Sequence, residues 1–232
     1  MNPDDGRALQ GYLADRKAVI DRALAGYLPG EESYPEIIFR AVRYSVLAGG
    51  KRLRPILCLA AAEAVGGKCG PILPVACALE LIHTYSLIHD DHPAMDNDDY
   101  RRGRPTSHKV FGEDIAILAG DALLTEAFRL MTRRDLMPGM PPERLIEAIG
   151  EIAEAAGFFG MVGGQVLDVR SAGEKADPDI LHRIHRMKTG AMIRVSLRAG
   201  AILAGASDEQ LASGHALEVA KAARASARPM LK

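Results

Sequence analysis

An apolar helical pattern over residues 75–88 runs directly into five aspartates, Asp90, Asp91, Asp96, Asp98 and Asp99, with Pro93 standing among them. No other stretch constrains the fold as tightly. A helix that is apolar around most of its surface must bury that surface, so this one leads from a core to a cluster of acids. Pro93 cannot lie inside the helix, because its ring clashes with the carbonyl of residue i−4, here His89. The helix is therefore predicted to end or kink near Asp91. His83, Leu87 and Asp90 stand at i, i+4 and i+7, which puts His83 and Asp90 on one face two turns apart. Asp96, six residues beyond Asp90, points elsewhere on an ideal helix, and the break at Pro93 is what would let it turn back.

Converging carboxylates need a cation. Two unit charges about 4 Å apart at an effective dielectric of about 20 repel by roughly 4 kcal/mol. Hard oxygen ligands with open positions suit Mg²⁺, which takes one or two carboxylates and fills its remaining positions with water and substrate phosphates. Arg101, Arg102 and Arg104 follow at once, and planar guanidinium forks match phosphate oxygens. A charge run is more often a solvated face, but the apolar approach, the proline break and the adjoining arginines together describe a magnesium–diphosphate site.

The rest of the chain reads as helix. Leu9, Tyr12, Leu13, Ile20, Leu24 and Leu28 give residues 5–28 a helical spacing that Pro29-Gly30 stops, and a second helix runs from Pro35 to Gly49-Gly50. Lys51 and Arg54 then stand three apart at a helix start whose free amides favour an anion, although a basic cap on a loop fits the local spacing equally well. Residues 56–65 are apolar and Ala-rich, and Pro71 or Pro74 opens the helix leading to Asp90. Residues 114–134 are apolar on nearly every side, which predicts a central, buried helix with Asp121 hydrogen-bonded in the core. Residues 142–159 are amphipathic and flow into Gly163-Gly164-Gln165-x-x-Asp168, where Gln165 and Asp168 face the same way and the glycines permit close approach. His182 and His185 are read as a basic solvated face rather than a metal pair. No alternating strand pattern or Asn-Gly hairpin signal occurs, so the fold class is all-α, with 1–232 as a single domain.

Composition narrows the functional classes. A net charge of −1 over 232 residues argues against a general polyanion-binding surface. Cys58, Cys69 and Cys77 form neither a Cys-x-x-Cys pair nor an even set, so a disulfide framework and a zinc site are not indicated. Charges stand in the N-terminal residues where a signal peptide needs its apolar core, and the longest stretch free of Asp, Glu, Lys and Arg, residues 155–167, is too short to span a bilayer. A cytoplasmic protein without a membrane span is expected, with no nucleic-acid partner.

The run from Ser86 to Asp99, Ser-Leu-Ile-His-Asp-Asp-His-Pro-Ala-Met-Asp-Asn-Asp-Asp, followed by Arg-Arg-Gly-Arg-Pro-Thr, resembles the first aspartate-rich motif of the trans-prenyltransferases, the farnesyl and geranylgeranyl diphosphate synthases. Gly-Gly-Lys51-Arg-Leu-Arg54-Pro, Gly-Gly-Gln165-x-x-Asp168 and Lys188-Thr189-Gly190 resemble three further motifs of that family, in the same order. His92 departs from the pattern, which commonly has Leu there; it is expected to point outward.

The resemblance implies an isoprenoid-synthase-type helical bundle with a central pocket, a homodimer, and a Mg²⁺ cofactor on Asp90 and Asp96. Arg101, Lys188 and Thr189 would hold the allylic diphosphate, and Lys51, Arg54, His83 and Arg102 would hold isopentenyl diphosphate. Gln165 would line the pocket opposite the aspartates. Tyr85 and Ser86, five and four residues before Asp90, would form the floor that limits product length, and a bulky Tyr there suggests farnesyl diphosphate made from geranyl or dimethylallyl diphosphate. Met-Asp-Asn-Asp-Asp and His-Lys-Val-Phe-Gly-Glu-Asp are instead similar to geranylgeranyl diphosphate synthases. The family's second aspartate cluster has no counterpart after residue 210, where Glu218 is the only acid. That absence keeps a rival of another class in view, a non-catalytic diphosphate-binding partner subunit. A terpene cyclase would not need Lys51, Arg54 and His83 together.

Overall fold

Helix α4 (Leu73–Asp90) is enclosed because most of its side chains are apolar: Val75, Leu79, Leu81, Ile82 and Ile88 are buried, as are the small residues Ala76, Cys77 and Ala78 between them. The computed structural model describes residues 3–171 and 177–212, so Glu218 and the Ala-rich tail lie outside the described residues. Around α4 stand α1 (Pro3–Tyr27), α2 (Glu36–Val46), α3 (Leu53–Ala64) and α6 (Glu113–Met131), with α5 (Ser107–Phe111) as a short connector. A second layer is built by α7 (Pro142–Ala156), α8 (Met161–Ser171), α9 (Pro178–Ile184), a π-helical turn (His185–Gly190), α10 (Ala191–Ala204) and α11 (Asp208–Ala212). The closest packing is of α4 on α6, α3 on α10 and α7 on α10. The all-α bundle is as the periodicity predicts.

Three features depart from that reading. Tyr100–Arg101 (β1) pairs antiparallel with Arg104–Pro105 (β2), a hairpin that Asn-Gly screening misses because its two-residue turn is Arg102-Gly103. Both residues have positive φ, 53° and 75°, the backbone that turns a tight hairpin in register with the strand twist. Helix α6 is not buried all round: Ala116, Ala119, Leu123, Ala127 and Leu130 face the core, while Ile117 and Leu118 are exposed. Asp121 lies on that open side, with a side-chain exposure of 62%, rather than hydrogen-bonded in the core.

The third feature lies under α3. Arg52, in the left-handed region at φ 51°, is 2% exposed. Its guanidinium donates to Asp21 (2.8 Å), to Glu80 (2.8 Å) and to the Val46 carbonyl (2.7 Å). A buried charge persists only when its hydrogen-bonding capacity is met. Here three partners from α1, α2 and α4 meet it, and they fix where α3 begins.

The 21-residue run Gly70–Asp90 holds an 18-residue window of mean hydropathy 1.5, long and apolar enough to cross a membrane by those measures, but 72% of that window is buried inside the bundle. Its apolarity is that of a core helix. Cys58 and Cys77 are buried thiols and Cys69 is partly so, all three free; burial pushes Cys58 and Cys69 up to about 12, out of the range of reactive thiolates.

Candidate active site

Asp90 and Asp91 are chain neighbours with opposite environments. Asp91 is 4% exposed and accepts two hydrogen bonds from the Arg101 Nε (2.7 and 2.8 Å), with Arg101 Nη2 closing the fork. Among the described residues Asp90 has no such partner within hydrogen-bond reach, and the nearest cation there, Lys188 Nζ, is 4.0 Å away. Burial, and then the carboxylates of Asp96 and Asp91, push the Asp90 carboxyl up to about 6 against the pull of Lys188 and Arg101. The cause is desolvation plus like charge. The helix ends at Asp90 as Pro93 requires, and the following loop folds back: the Asp96 amide donates to the Asp90 carbonyl (2.9 Å) and the Asp98 amide to the Asp91 carbonyl (3.2 Å). That return brings Asp96 beside Asp90.

Facing this helix end is α8 with the π-helical turn. Lys188 Nζ donates to Asp168 (2.8 Å) on its way toward Asp90. Gly164 makes this approach possible: a Cβ there would lie 2.3 Å from the Lys188 backbone nitrogen. Between the two walls lies a cavity of about 500 Å³, lined by Arg54, His83, Asp90, Gln165, Lys188 and Thr189 and by apolar side chains that include Met95, Val162 and Val166. Tyr85 and Ser86 also line it. Its size suits a small-molecule site.

Its polar wall is under-satisfied. Arg54 Nε and both ends of the Gln165 amide are buried without hydrogen-bond partners, a state that native structures avoid unless a ligand or water completes it. Burial, followed by Arg54, Arg102 and Arg101, holds His83 well below the usual imidazole range, so it is neutral among cations. Burial also lowers Arg54 and Arg102. Cations that destabilise one another in a concave site favour an anion there. Lys51 is exposed at the start of α3. Arg102 reaches back across the chain, and its Nη1 donates to the Gly49 carbonyl.

Arg101, assigned by resemblance to a diphosphate, forks Asp91 through Nε and Nη2. His92 does not point outward: its side chain is 12% exposed, and its ring is tilted against His108 with centroids 6.1 Å apart. His182 and His185 are exposed, as expected. Asp168 was legible as the i+3 neighbour of Gln165, but its ion pair with Lys188 spans 20 residues, and local spacing gave no signal of it. Glu80, buried at 1%, carried no signal at all beyond its place in an apolar helix.

Among the described residues no three of His, Cys, Asp and Glu converge closely enough to cage a metal. Asp90 and Asp96 instead offer two adjoining carboxylates with open positions, a donor set that fits Mg²⁺.

Residues 35–220 match the family model described as Polyprenyl synthetase. The chain is 50% identical over 204 residues to a "Dimethylallyltranstransferase" of Fischerella ambigua, covering 88% of this chain and 58% of that protein. It is 49% identical over 203 residues to "Heterodimeric geranylgeranyl pyrophosphate synthase large subunit 1, chloroplastic" of Arabidopsis thaliana, covering 86% of this chain and 54% of that one. The chain thus spans little more than half the length of these two relatives. Among solved structures, an apo "FPP/GFPP synthase" of Zymomonas mobilis superposes with a TM-score of 0.85 at 36% identity, over 92% of this chain and 77% of the other. By the reach of the family match, the order of its motifs and its helical architecture, the chain belongs to the polyprenyl synthetase family.

Proposed function

We propose that this chain carries the diphosphate-binding machinery of a trans-prenyltransferase that joins isopentenyl diphosphate to geranyl or dimethylallyl diphosphate and yields farnesyl diphosphate. One observation carries the reading. Arg54 and Gln165, with buried polar atoms left without partners, join His83, Asp90 and Lys188 around a single cavity whose body is apolar. That is the shape of a molecule with a charged head and a hydrocarbon tail.

Asp90 and Asp96 would hold Mg²⁺, which when bound supplies charge stabilisation to a departing diphosphate. Lys188 and Thr189 present a cation and a hydroxyl from the opposite wall to the allylic diphosphate. Arg101 holds Asp91 and stands beside that head group as a fixed positive charge. Cleavage of the allylic C–O bond leaves the electron pair on the diphosphate and a cation on the allyl group. Lys51, Arg54, His83 and Arg102 orient isopentenyl diphosphate so that its double bond meets that cation and forms the new C–C bond; loss of a proton from the adjacent carbon restores a double bond. Apolar residues of α8, with Met95, exclude water from the cation. Catalysis here is positioning plus preorganised charge.

A cytoplasmic homodimer belongs to the same reading, and the exposed Ile117 and Leu118 of α6 and Ile146 of α7 supply apolar surface for its interface. Geranylgeranyl diphosphate is the second reading for the product, favoured by the Arabidopsis relative's name; the Tyr85 ring on the cavity wall favours the shorter one. The test is incubation with radiolabelled isopentenyl diphosphate, geranyl diphosphate and Mg²⁺, with products separated by chain length. A C15 product is expected. A C20 product selects the second reading, and neither turnover nor binding of either diphosphate overturns the proposal.

A further inference from the structure

The ring of Tyr85 does not stand alone on the cavity wall. His89, one turn further along α4, packs edge-on against it with centroids 5.8 Å apart and an interplanar angle of 80°, and it lines the same cavity. The other edge of the imidazole reaches α6, where His89 Nε2 lies 3.0 Å from the Ile117 carbonyl. A carbonyl only accepts, so Nε2 is the protonated nitrogen. Asp121, on the same side of α6, is 3.9 Å from that nitrogen. The ring fits there because residue 120 is glycine: a Cβ at Gly120 would sit 2.1 Å from His89 Nε2.

We infer that His89, latched to α6 through the Ile117 carbonyl and the gap at Gly120, is a positioning residue that fixes the Tyr85 ring and thereby sets the depth of the hydrocarbon end of the cavity. This rests on the prenyl diphosphate reading of the site and adds a specificity determinant to it. Two changes follow in opposite directions. Filling the gap with Gly120→Ala drives the imidazole off α6 toward the cavity, which becomes shallower. Removing the ring with His89→Ala leaves Tyr85 without its lateral support and opens space between α4 and α6, so the cavity becomes deeper.

The test is equilibrium binding by titration calorimetry of geranyl, farnesyl and geranylgeranyl diphosphates, each with Mg²⁺, to the full chain and its variants. Thermal melts run alongside confirm that each variant is folded. His89→Ala is expected to raise the C20-to-C10 affinity ratio by about tenfold, and Gly120→Ala to lower the C15-to-C10 ratio by about as much, since a pocket discriminates roughly tenfold or more per misfitted apolar group. His89→Gln, which keeps an N–H donor at a similar reach, is expected to restore the wild-type ladder; general destabilisation of the helix pair would not give that rescue. Binding of all three ligands with the ladder unchanged in His89→Ala and Gly120→Ala overturns the inference and leaves the prenyl diphosphate reading standing. Failure of the wild-type chain to bind any of the three overturns both.

Discussion

Arg52 and Arg54 leave the same helix start two residues apart and meet opposite fates. Arg52 turns into the core and is met by Asp21, Glu80 and the Val46 carbonyl. Arg54 turns to the cavity and keeps a buried Nε with no partner. Asp91 and Asp90 repeat the contrast with the sign reversed, one forked by Arg101, the other pushed up to about 6. The comparison separates scaffold from site by whether a charge is satisfied. In these two pairs the charge met by partners ties helices together, and the one left without them faces the cavity.

The sharpest way to break this contrast is to strand a saturated charge. Glu80→Leu removes a buried partner of Arg52 and is expected to cost about 3–5 kcal/mol in urea unfolding. The double change Arg52→Met with Glu80→Leu should recover much of that loss, and failure to recover would mean that the ion pair does more than satisfy itself. Next in size, Asp90→Ala should lower turnover by about 10²–10³-fold, on the scale of losing one preorganised group in the transition state, while the melting temperature holds or rises. A matched fall in stability would place Asp90 with the scaffold instead. Arg54→Met is expected to raise the KM for isopentenyl diphosphate about tenfold, the signature of lost ground-state binding, again without loss of stability.

A smaller effect lies in the pH dependence of the metal-free protein. The Asp90 carboxyl is raised in the folded state above its unfolded value, so the folded chain binds a proton more tightly between roughly pH 4 and 6. Stability from this group is therefore fully present below the unfolded value and is lost as pH rises through about 6. Denaturant midpoints measured from pH 4 to 7 should show that decline in the wild type and a flatter profile in Asp90→Asn. Smallest of all, Asp121→Asn on the open side of α6 should change stability by under about 0.5 kcal/mol, and a larger loss would restore the buried role read for it from sequence.

Much of the fold was legible because helical periodicity and Pro or Gly punctuation act locally. The end of α4 at Asp90 follows from Pro93 alone, and the return of Asp96 follows from that end. What stayed hidden was set by distant partners. Lys51, Arg52 and Arg54 look alike along the chain, and only α1 and α4, which bring Asp21 and Glu80, decide which of them is core. Arg102-Gly103 escaped notice because arginine is rarely chosen for a positive φ, and the hairpin is fixed instead by Tyr100 and Arg101 pairing with Pro105 and Arg104. Apolar residues at Ile117 and Leu118 suggested burial in α6, yet one chain leaves them open. His92 turned inward against His108, which does not adjoin it in the sequence.

The π-helical turn at His185–Gly190 has a mechanical consequence. An i→i+5 turn holds about one residue more than its α counterpart, and one residue is about 100° of rotation. It works as a phase shifter between α9 and α10: the buried stripe of α10, with Met192, Val195 and Ala199, keeps its grip on the bundle while Lys188 and Thr189 are swung round to the cavity. A single deletion at His185, Arg186 or Met187 would leave Lys188 and Thr189 in the chain, yet it would dial those two residues away from the site.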